Sequence, residues 1–523
     1  MAAPSEKLAQ SLEALHQLQN SSGAAAIRAR DLSRTHRERL LANGFLQEVI
    51  KGWYIPARPD EVRGDSTPWY ASFWRFCSAY LQARFKNNWC LSPEQSLSLH
   101  GGNWTVPRQL VVRSPKARNK VTRLPHGTSL LDLRSALPAL ADREEKERMR
   151  VFSLESALIG SSANYFSTNS TDARAVLSMV RDPSALLARL LEGGHSKIAG
   201  RLAGAFRNAR RDRVADEIMK TMSAAGYDVR ETDPFTDRPS LILPVRETSP
   251  YVNRIRLLWQ KMRGPIINRF PPAPGLPRNI SAYMKRVDGV YPTDAYHSLS
   301  IEGYRVTPEL IERVRRGGWN PEKHLEDREQ RNAMAARGYW QAFQAVRNSV
   351  GRVLHGENSG FVADEDHRTW YREIFAPSVT AGLLRPADLA GYRNTQVYIR
   401  RSKHVPLNRE AVRDAMPVLF ELLQEETVPA ARVVLAHFIF VYIHPYMDGN
   451  GRMGRFLMNL MLASGGYPWT VIPVSDRKNY MEALEQASVG ENIIPFADFL
   501  AGLVTKSLTG KPLPPIPKPS SQI

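Results

Sequence analysis

The stretch Pro429–Leu462, "PAARVVLAHFIFVYIHPYMDGNGRMGRFLMNLML", decides how the C-terminal half of this chain folds. Its first part, Pro429–Ile443, is apolar on almost every side, which predicts a helix buried all round at the centre of a domain. Pro445 disfavours helical backbone before it and ends that helix. "GRMGRFLMNLML" then resumes helical spacing from near Gly451 and stops at Gly465-Gly466. Between the two lies "HPYMDGNGRMGR", His444–Arg455: a loop that leaves a buried helix and enters the N-terminus of the next.

A helix N-terminus carries unpaired amides and partial positive charge, and glycines let backbone amides approach a ligand closely, so this geometry favours phosphate. Gly449, Asn450 and Gly451 can form such a cradle. Arg452 and Arg455, three apart, share a helix face and can reach further phosphate oxygens. Asp448 is an oxygen ligand suited to Mg²⁺, which binds one or two carboxylates together with substrate phosphates. His444, at the end of a rigid helix, has the pKa range of a general base. Any one of these residues alone reads as a turn or a cap. The full set in register reads as a site for metal-assisted transfer from a nucleotide to a hydroxyl.

The same twelve residues resemble the signature of Fic-domain proteins: histidine, proline, aromatic, any residue, acid, Gly-Asn, Gly-Arg, two positions and a closing arginine. The resemblance covers about residues 281–508. It implies an all-helical core, His444 as base, Asp448 on Mg²⁺ and Gly449 to Arg455 on the phosphates of ATP, with AMP transferred to a Ser, Thr or Tyr hydroxyl of a target protein. Fic relatives that phosphorylate carry lysine where this chain has Gly451, so the resemblance favours nucleotidyl transfer.

Two further stretches fit that frame. "YRNTQVYIRRSKHVPL" (392–407) alternates Val397, Ile399 and polar neighbours before Pro406, which predicts a short hairpin in a helical domain. The resemblance makes it the flap that clamps a target segment by strand addition. In "SLSIEGYRV", Ser298 and Glu302 are four apart on one helical face and Gly303 follows; in isolation that is a solvated acid. Ser298–Gly303 also resembles the family's inhibitory motif, which implies that Glu302 pairs with Arg455 and blocks productive ATP binding. In some family members the same carboxylate serves removal of AMP.

The chain has 523 residues, too many for one ordinary core, with 43% hydrophobic and 24% charged residues, which are globular values. No apolar run approaches membrane-spanning length and "MAAPSEKLAQSLEALHQLQN" lacks a signal-peptide core, so a cytoplasmic protein without membrane contact is expected. Two cysteines, Cys77 and Cys90, exclude a disulfide framework. A net charge of +19 points to an anionic partner or a solvated surface.

Proline-rich stretches place a connecting arm over 234–280, interrupted by one short helix "VNRIRLLWQKM", and a disordered tail over 509–523. Residues 26–61 read as two helices and a hairpin turning at Lys51-Gly52, a winged helix-turn-helix over 1–65 whose second helix would present Arg34, Arg37 and Arg39 to DNA. This region resembles AbiEi-type antitoxins, and "LSPEQSLSLHGGNWTVPRQLVVRSP" resembles that family's following α/β and helical part, here 66–233. The fold expected is therefore mainly α: a helical C-terminal domain over 281–508 with a β-hairpin flap, and an N-terminal α+β winged-helix-like domain. The alternative to the transferase is a DNA-binding, antitoxin-like regulator whose Fic domain is regulatory. A homo-oligomer is compatible with either.

Overall fold

The computed structural model describes residues 3–22, 26–59, 64–237, 249–318 and 331–516. They form two compact units, residues 1–250 with 398–405, and residues 251–397 with 406–523.

In the first unit, α1 (Pro4–Ser22) packs on α2 (Arg34–Ala42), and β1 (Ile27–Arg28), β2 (Leu46–Ile50) and β3 (Trp53–Pro56) form an antiparallel sheet in the order β1-β3-β2. The expected hairpin is present, turning at Lys51 and at Gly52, whose φ is +80°. The expected first helix of 26–61 is not. Asp31 accepts from the Arg28 amide and guanidinium, closing a turn that leaves Ile27–Arg28 as a strand, and the Ser33 hydroxyl then caps α2.

After α3 (Thr67–Phe85) comes a sheet of β4 (Cys90–Leu91), β5 (Gln109–Ser114), β6 (Lys120–Arg123) and β7 (Ser129–Arg134) in the order β4-β5-β7-β6, with β5 and β7 parallel. A small hairpin, Arg143–Lys146 with Met149–Phe152, leads into helices spanning 154–224. Residues 66–233 are thus α/β followed by helices.

Among its described residues the second unit is helical, without strands. Its longer helices are α4 (Pro250–Ile267), α5 (Ile280–Ile301), α6 (Arg331–Leu354), α7 (Ser359–Thr380), α8 (Arg409–Glu425), α9 (Pro429–Ile443), α10 (Asn450–Ser464), α11 (Arg477–Gly490) and α12 (Ile494–Leu508), and a short one spans Pro308–Arg315. Buried on nearly every side, α9 sits in one continuous core that includes the fully buried Tyr291, Tyr339, Trp370 and Phe456. Burial of each such side chain contributes about 1.5–3 kcal/mol.

The helix read inside the proline-rich arm exists as α4, and it is no free connector. Val252, Ile255, Leu258, Trp259 and Met262 enter the core of the second unit. Residues 238–248 of the arm and 517–523 of the tail lie outside the described residues.

The flap departs from expectation: 392–407 contain no strand. Side chains do the pairing that a ladder would. Arg393 donates to the carbonyls of Thr395 and Leu407, and Gln396 to that of Pro406, so the two limbs are tied without strand hydrogen bonds. Beyond Val397, the segment 398–405 belongs to the first unit. There the Lys403 carbonyl accepts from the Val106 amide at 2.9 Å, Arg400 Nε donates to Asp65 at 3.0 Å, and the Arg401 amide donates to Thr67 Oγ1 at 2.9 Å. Val405 packs on that unit's core.

Candidate active site

The site grows from the end of α9. His444 takes left-handed backbone angles, φ 55° and ψ 61°, which turn the chain sharply out of the helix. Its Nδ1 lies 3.1 Å from the Val441 carbonyl. Since a carbonyl only accepts, Nδ1 carries the hydrogen and Nε2 keeps its lone pair. Burial is the main influence holding the imidazole below its ordinary pKa; the Val441 carbonyl opposes it, and nearby Arg393 adds to the lowering. The ring is thus held in its neutral form, the form a general base requires.

The loop after His444 is stitched by Asn450, whose side chain accepts from the Tyr446 amide at 2.9 Å and donates to the Tyr446 carbonyl at 2.8 Å. The side chain thus fixes the loop, and the Asn450 backbone amide stays at the helix N-terminus with those of Gly451 and Arg452. Gly449, at φ +81°, caps α10, and the helix's first-turn amides at Asn450, Gly451 and Arg452 have no carbonyl one turn earlier to bond. Asp448 is exposed; its Oδ1 accepts from the Gly449 amide at 2.6 Å and its Oδ2 lies 3.6 Å from Arg452 Nη2. No group of three or more metal-ligating side chains occurs among the described residues. A single hard carboxylate with a free oxygen suits Mg²⁺, which takes its remaining ligands from phosphates and water.

Two guanidinium groups are buried behind this loop. Arg452 is 1% exposed and lies over the rings of Tyr304 and Phe375, at 5.4 and 5.1 Å from their centroids. Its Nε and Nη2 make no hydrogen bond among the described residues. Arg455 donates to Ser298 Oγ at 2.8 Å, to the Ser298 carbonyl at 3.1 Å and to Glu302 Oε1 at 2.7 Å, while its Nη1 makes no hydrogen bond among the described residues.

Glu302 ends α5 as its C-cap, and Gly303 follows at φ +88°. Burial by itself would raise the Glu302 pKa, but Arg455, followed by Arg452 and Arg477, outweighs it and holds the carboxyl below its ordinary range. Gly451 makes room for this acid: a Cβ there would stand 2.3 Å from Glu302 Oε1. Glu302 and Arg455, 153 positions apart in the chain, are thus in direct contact.

Sequence reasoning did not single out Arg393, which is 3% exposed and donates from Nε to the His444 carbonyl at 2.8 Å. Tyr304 and Phe375, the rings over Arg452, were also missed. Only the "YR" beside the flap gave any local signal. Val397 and Ile399 are half-buried, and the two fall in different units. Of the three arginines expected on DNA, Arg37 donates to the Ala29 carbonyl and Arg39 to the Lys7 carbonyl and Ser11 Oγ, so both are engaged within the unit. Arg34 is exposed and pairs with Glu38.

Residues 364–462 match the model of the Fic/DOC family. A "Protein adenylyltransferase Fic" of Nematostella vectensis is 37% identical over 131 residues, covering 24% of this chain and 30% of the relative. "Protein adenylyltransferase fic-1" of Caenorhabditis elegans is 27% identical over 211 residues, covering 39% of this chain and 38% of the relative. The chain thus spans about a third of the length of these relatives. Among solved structures, Fic-1 from C. elegans covers 65% of this chain and 96% of its own at 18% identity, with a TM-score of 0.36. No helix among the described residues is long and apolar enough to cross a membrane. The loop from His444 to Arg455 falls inside the matched span, and the chain carries, over residues 364–462, a domain of the Fic/DOC family.

Proposed function

We propose that the protein is an adenylyltransferase that moves AMP from ATP to a Ser, Thr or Tyr hydroxyl of a target protein, and that Glu302 holds it in check. The observation that carries this reading is the buried Arg452, with two unbonded donor nitrogens behind the N-terminus of α10. A buried guanidinium whose acidic neighbour, Asp448 Oδ2, stands beyond hydrogen-bond distance at 3.6 Å is under-satisfied, and the terminal oxygens of a polyphosphate would satisfy it.

Gly449 to Arg452 would cradle the phosphates through first-turn amides, and Arg455 would complete the cradle once freed of Glu302. Nε2 of His444 takes the proton from the target hydroxyl. That oxygen forms a bond to the α-phosphorus as the bond to the bridging oxygen breaks, and pyrophosphate leaves with the electron pair. Mg²⁺ held by Asp448 and the phosphates would neutralise charge on the leaving group. The pair Glu302–Arg455, 2.7 Å apart, occupies an arginine that ATP needs. The same carboxylate, facing the cradle, would orient water for removal of AMP.

The test is transfer of label from α-labelled ATP with Mg²⁺ to protein. Label is expected on Glu302→Gly, much less on the wild type, and none on Glu302→Gly/His444→Ala. Equal label on the last variant would refute His444 as base. Absence of label from every variant, with ATP bound, would refute AMP transfer.

A further inference from the structure

We propose that Arg393 is a positioning residue for the transfer, one guanidinium that holds the base and the target-docking loop in a single arrangement. The inference rests on the reading of His444 as the base. Nε of Arg393 donates to the His444 carbonyl at 2.8 Å, Nη1 to that of Thr395 at 2.9 Å, and Nη2 to that of Leu407. Its own amide donates to the Pro445 carbonyl at 2.9 Å. Thr395 and Leu407 stand on opposite limbs of the 392–407 loop, and His444 and Pro445 are the first residues of the catalytic loop.

None of these acceptors is an acid. A buried guanidinium commonly sits against a carboxylate, yet the structure gives Arg393 only carbonyls, all on backbone that it joins. The fork has a specific consequence at His444. That residue holds a left-handed backbone that is unfavourable for a non-glycine residue, and its carbonyl is where Arg393 grips it. The charge also stands close enough to disfavour an imidazolium, acting with burial, while Glu302 at the end of α5 and Asp448 in the loop act in the opposite sense. Lysine could supply the charge but only one point of attachment, so the two contributions can be separated by substitution.

The experiment uses the full chain in the Glu302→Gly background, comparing Arg393→Lys and Arg393→Gln. Auto-modification is followed against ATP concentration and pH, with ATP affinity and Tm measured separately. Arg393→Lys is expected to lower kcat at least tenfold with the Kd for ATP within twofold, and to keep the acid limb of the pH profile in place. Arg393→Gln is expected to lower kcat similarly and to move the acid limb to higher pH, because the base protonates more readily.

Unchanged kcat in Arg393→Lys, at a Tm near the parent's, would overturn the proposal even if Arg393→Gln fails to fold. The His444 ring titration, followed by NMR, needs no turnover. An ordinary-range shift in Arg393→Gln supports the proposal and an unmoved pKa overturns it, whether or not AMP transfer is found.

Discussion

Replacing Glu302 with glutamine removes one charge from the cradle while keeping the side chain's size. In the wild type the carboxylate accepts from Arg455 at 2.7 Å and is a quarter exposed, 27% of its side chain. If Glu302 competes with ATP, the nucleotide must displace it to use Arg455. Glutamine still offers Arg455 an acceptor, so only the charge assistance is lost, about 1–1.5 kcal/mol as the difference between charged and neutral hydrogen bonds, and ATP binding should tighten roughly 5- to 13-fold. Calorimetry with an ATP analogue that resists cleavage at the α-phosphorus reads this without turnover. The control is a double-mutant cycle with Arg455→Met: where Arg455 is absent, Glu302→Gln has no ion pair to release and should change affinity little. Equal affinities for wild type and Glu302→Gln, or an equal gain in both backgrounds, would refute competition for Arg455.

Three other outcomes are expected. His437, His367 and His100 are buried, and burial pushes their pKa values down to about 3, 4 and 4. In the unfolded chain they titrate near 6.5, so unfolding takes up protons below that pH; the stability is present above about 6.5 and is lost toward pH 4, steepest at about 3 kcal/mol per pH unit for the two rings of the second unit and about 1.4 kcal/mol for His100 in the first. A Tm that stays flat from pH 7 to 5 would contradict neutral burial of these rings. Asp65→Ala removes the acceptor of Arg400, so trypsin should cut after Arg400 and Arg401 several times faster than in the wild type; an unchanged digestion rate would mean that this contact does not hold the segment. Arg39→Ala should cost about 1–2 kcal/mol in denaturant unfolding because it strips bonds to Lys7 and Ser11, whereas Arg34→Ala, 82% exposed beside Glu38, should leave the unfolding midpoint unchanged.

What the sequence made legible was local. The helix Pro429–Ile443, its stop before Pro445 and the restart at Asn450 follow from spacing and from one proline, because those signals act within a few residues. The hairpin at Lys51-Gly52 was legible for the same reason. Distant partners defeated the reading elsewhere. The segment 392–407 has the alternation of a strand, but its carbonyls are taken by the side chains of Arg393 and Gln396 and by the amide of Val106, none of which alternation can reveal. The motif places the Asn450 backbone amide at the start of a helix, but only the fold shows that its side-chain amide turns back onto Tyr446 and holds the loop. The pairing of Glu302 with Arg455 was reached through the family resemblance; spacing along one helix cannot specify a partner 153 residues away.

Three buried guanidinium groups surround one loop, and the structure satisfies each differently. Arg393 is satisfied by backbone carbonyls that no ligand would displace, so its place is permanent and its role is to fix geometry. Arg455 is satisfied by Ser298, which would remain, and by Glu302, a C-cap side chain that can swing away, so part of its bonding is exchangeable. Arg452 is satisfied chiefly by aromatic faces, which stabilise its charge but accept none of the unbonded Nε and Nη2 hydrogens, so it keeps its capacity for an incoming anion. A polyphosphate entering this loop would therefore meet one arginine already open and one that must be released, while the third goes on holding the base. On that division, control by Glu302 would act at one bond: its hydrogen-bonded pair with Arg455 at 2.7 Å would compete with ATP, whereas Asp448 stands 3.6 Å from Arg452 and is exposed.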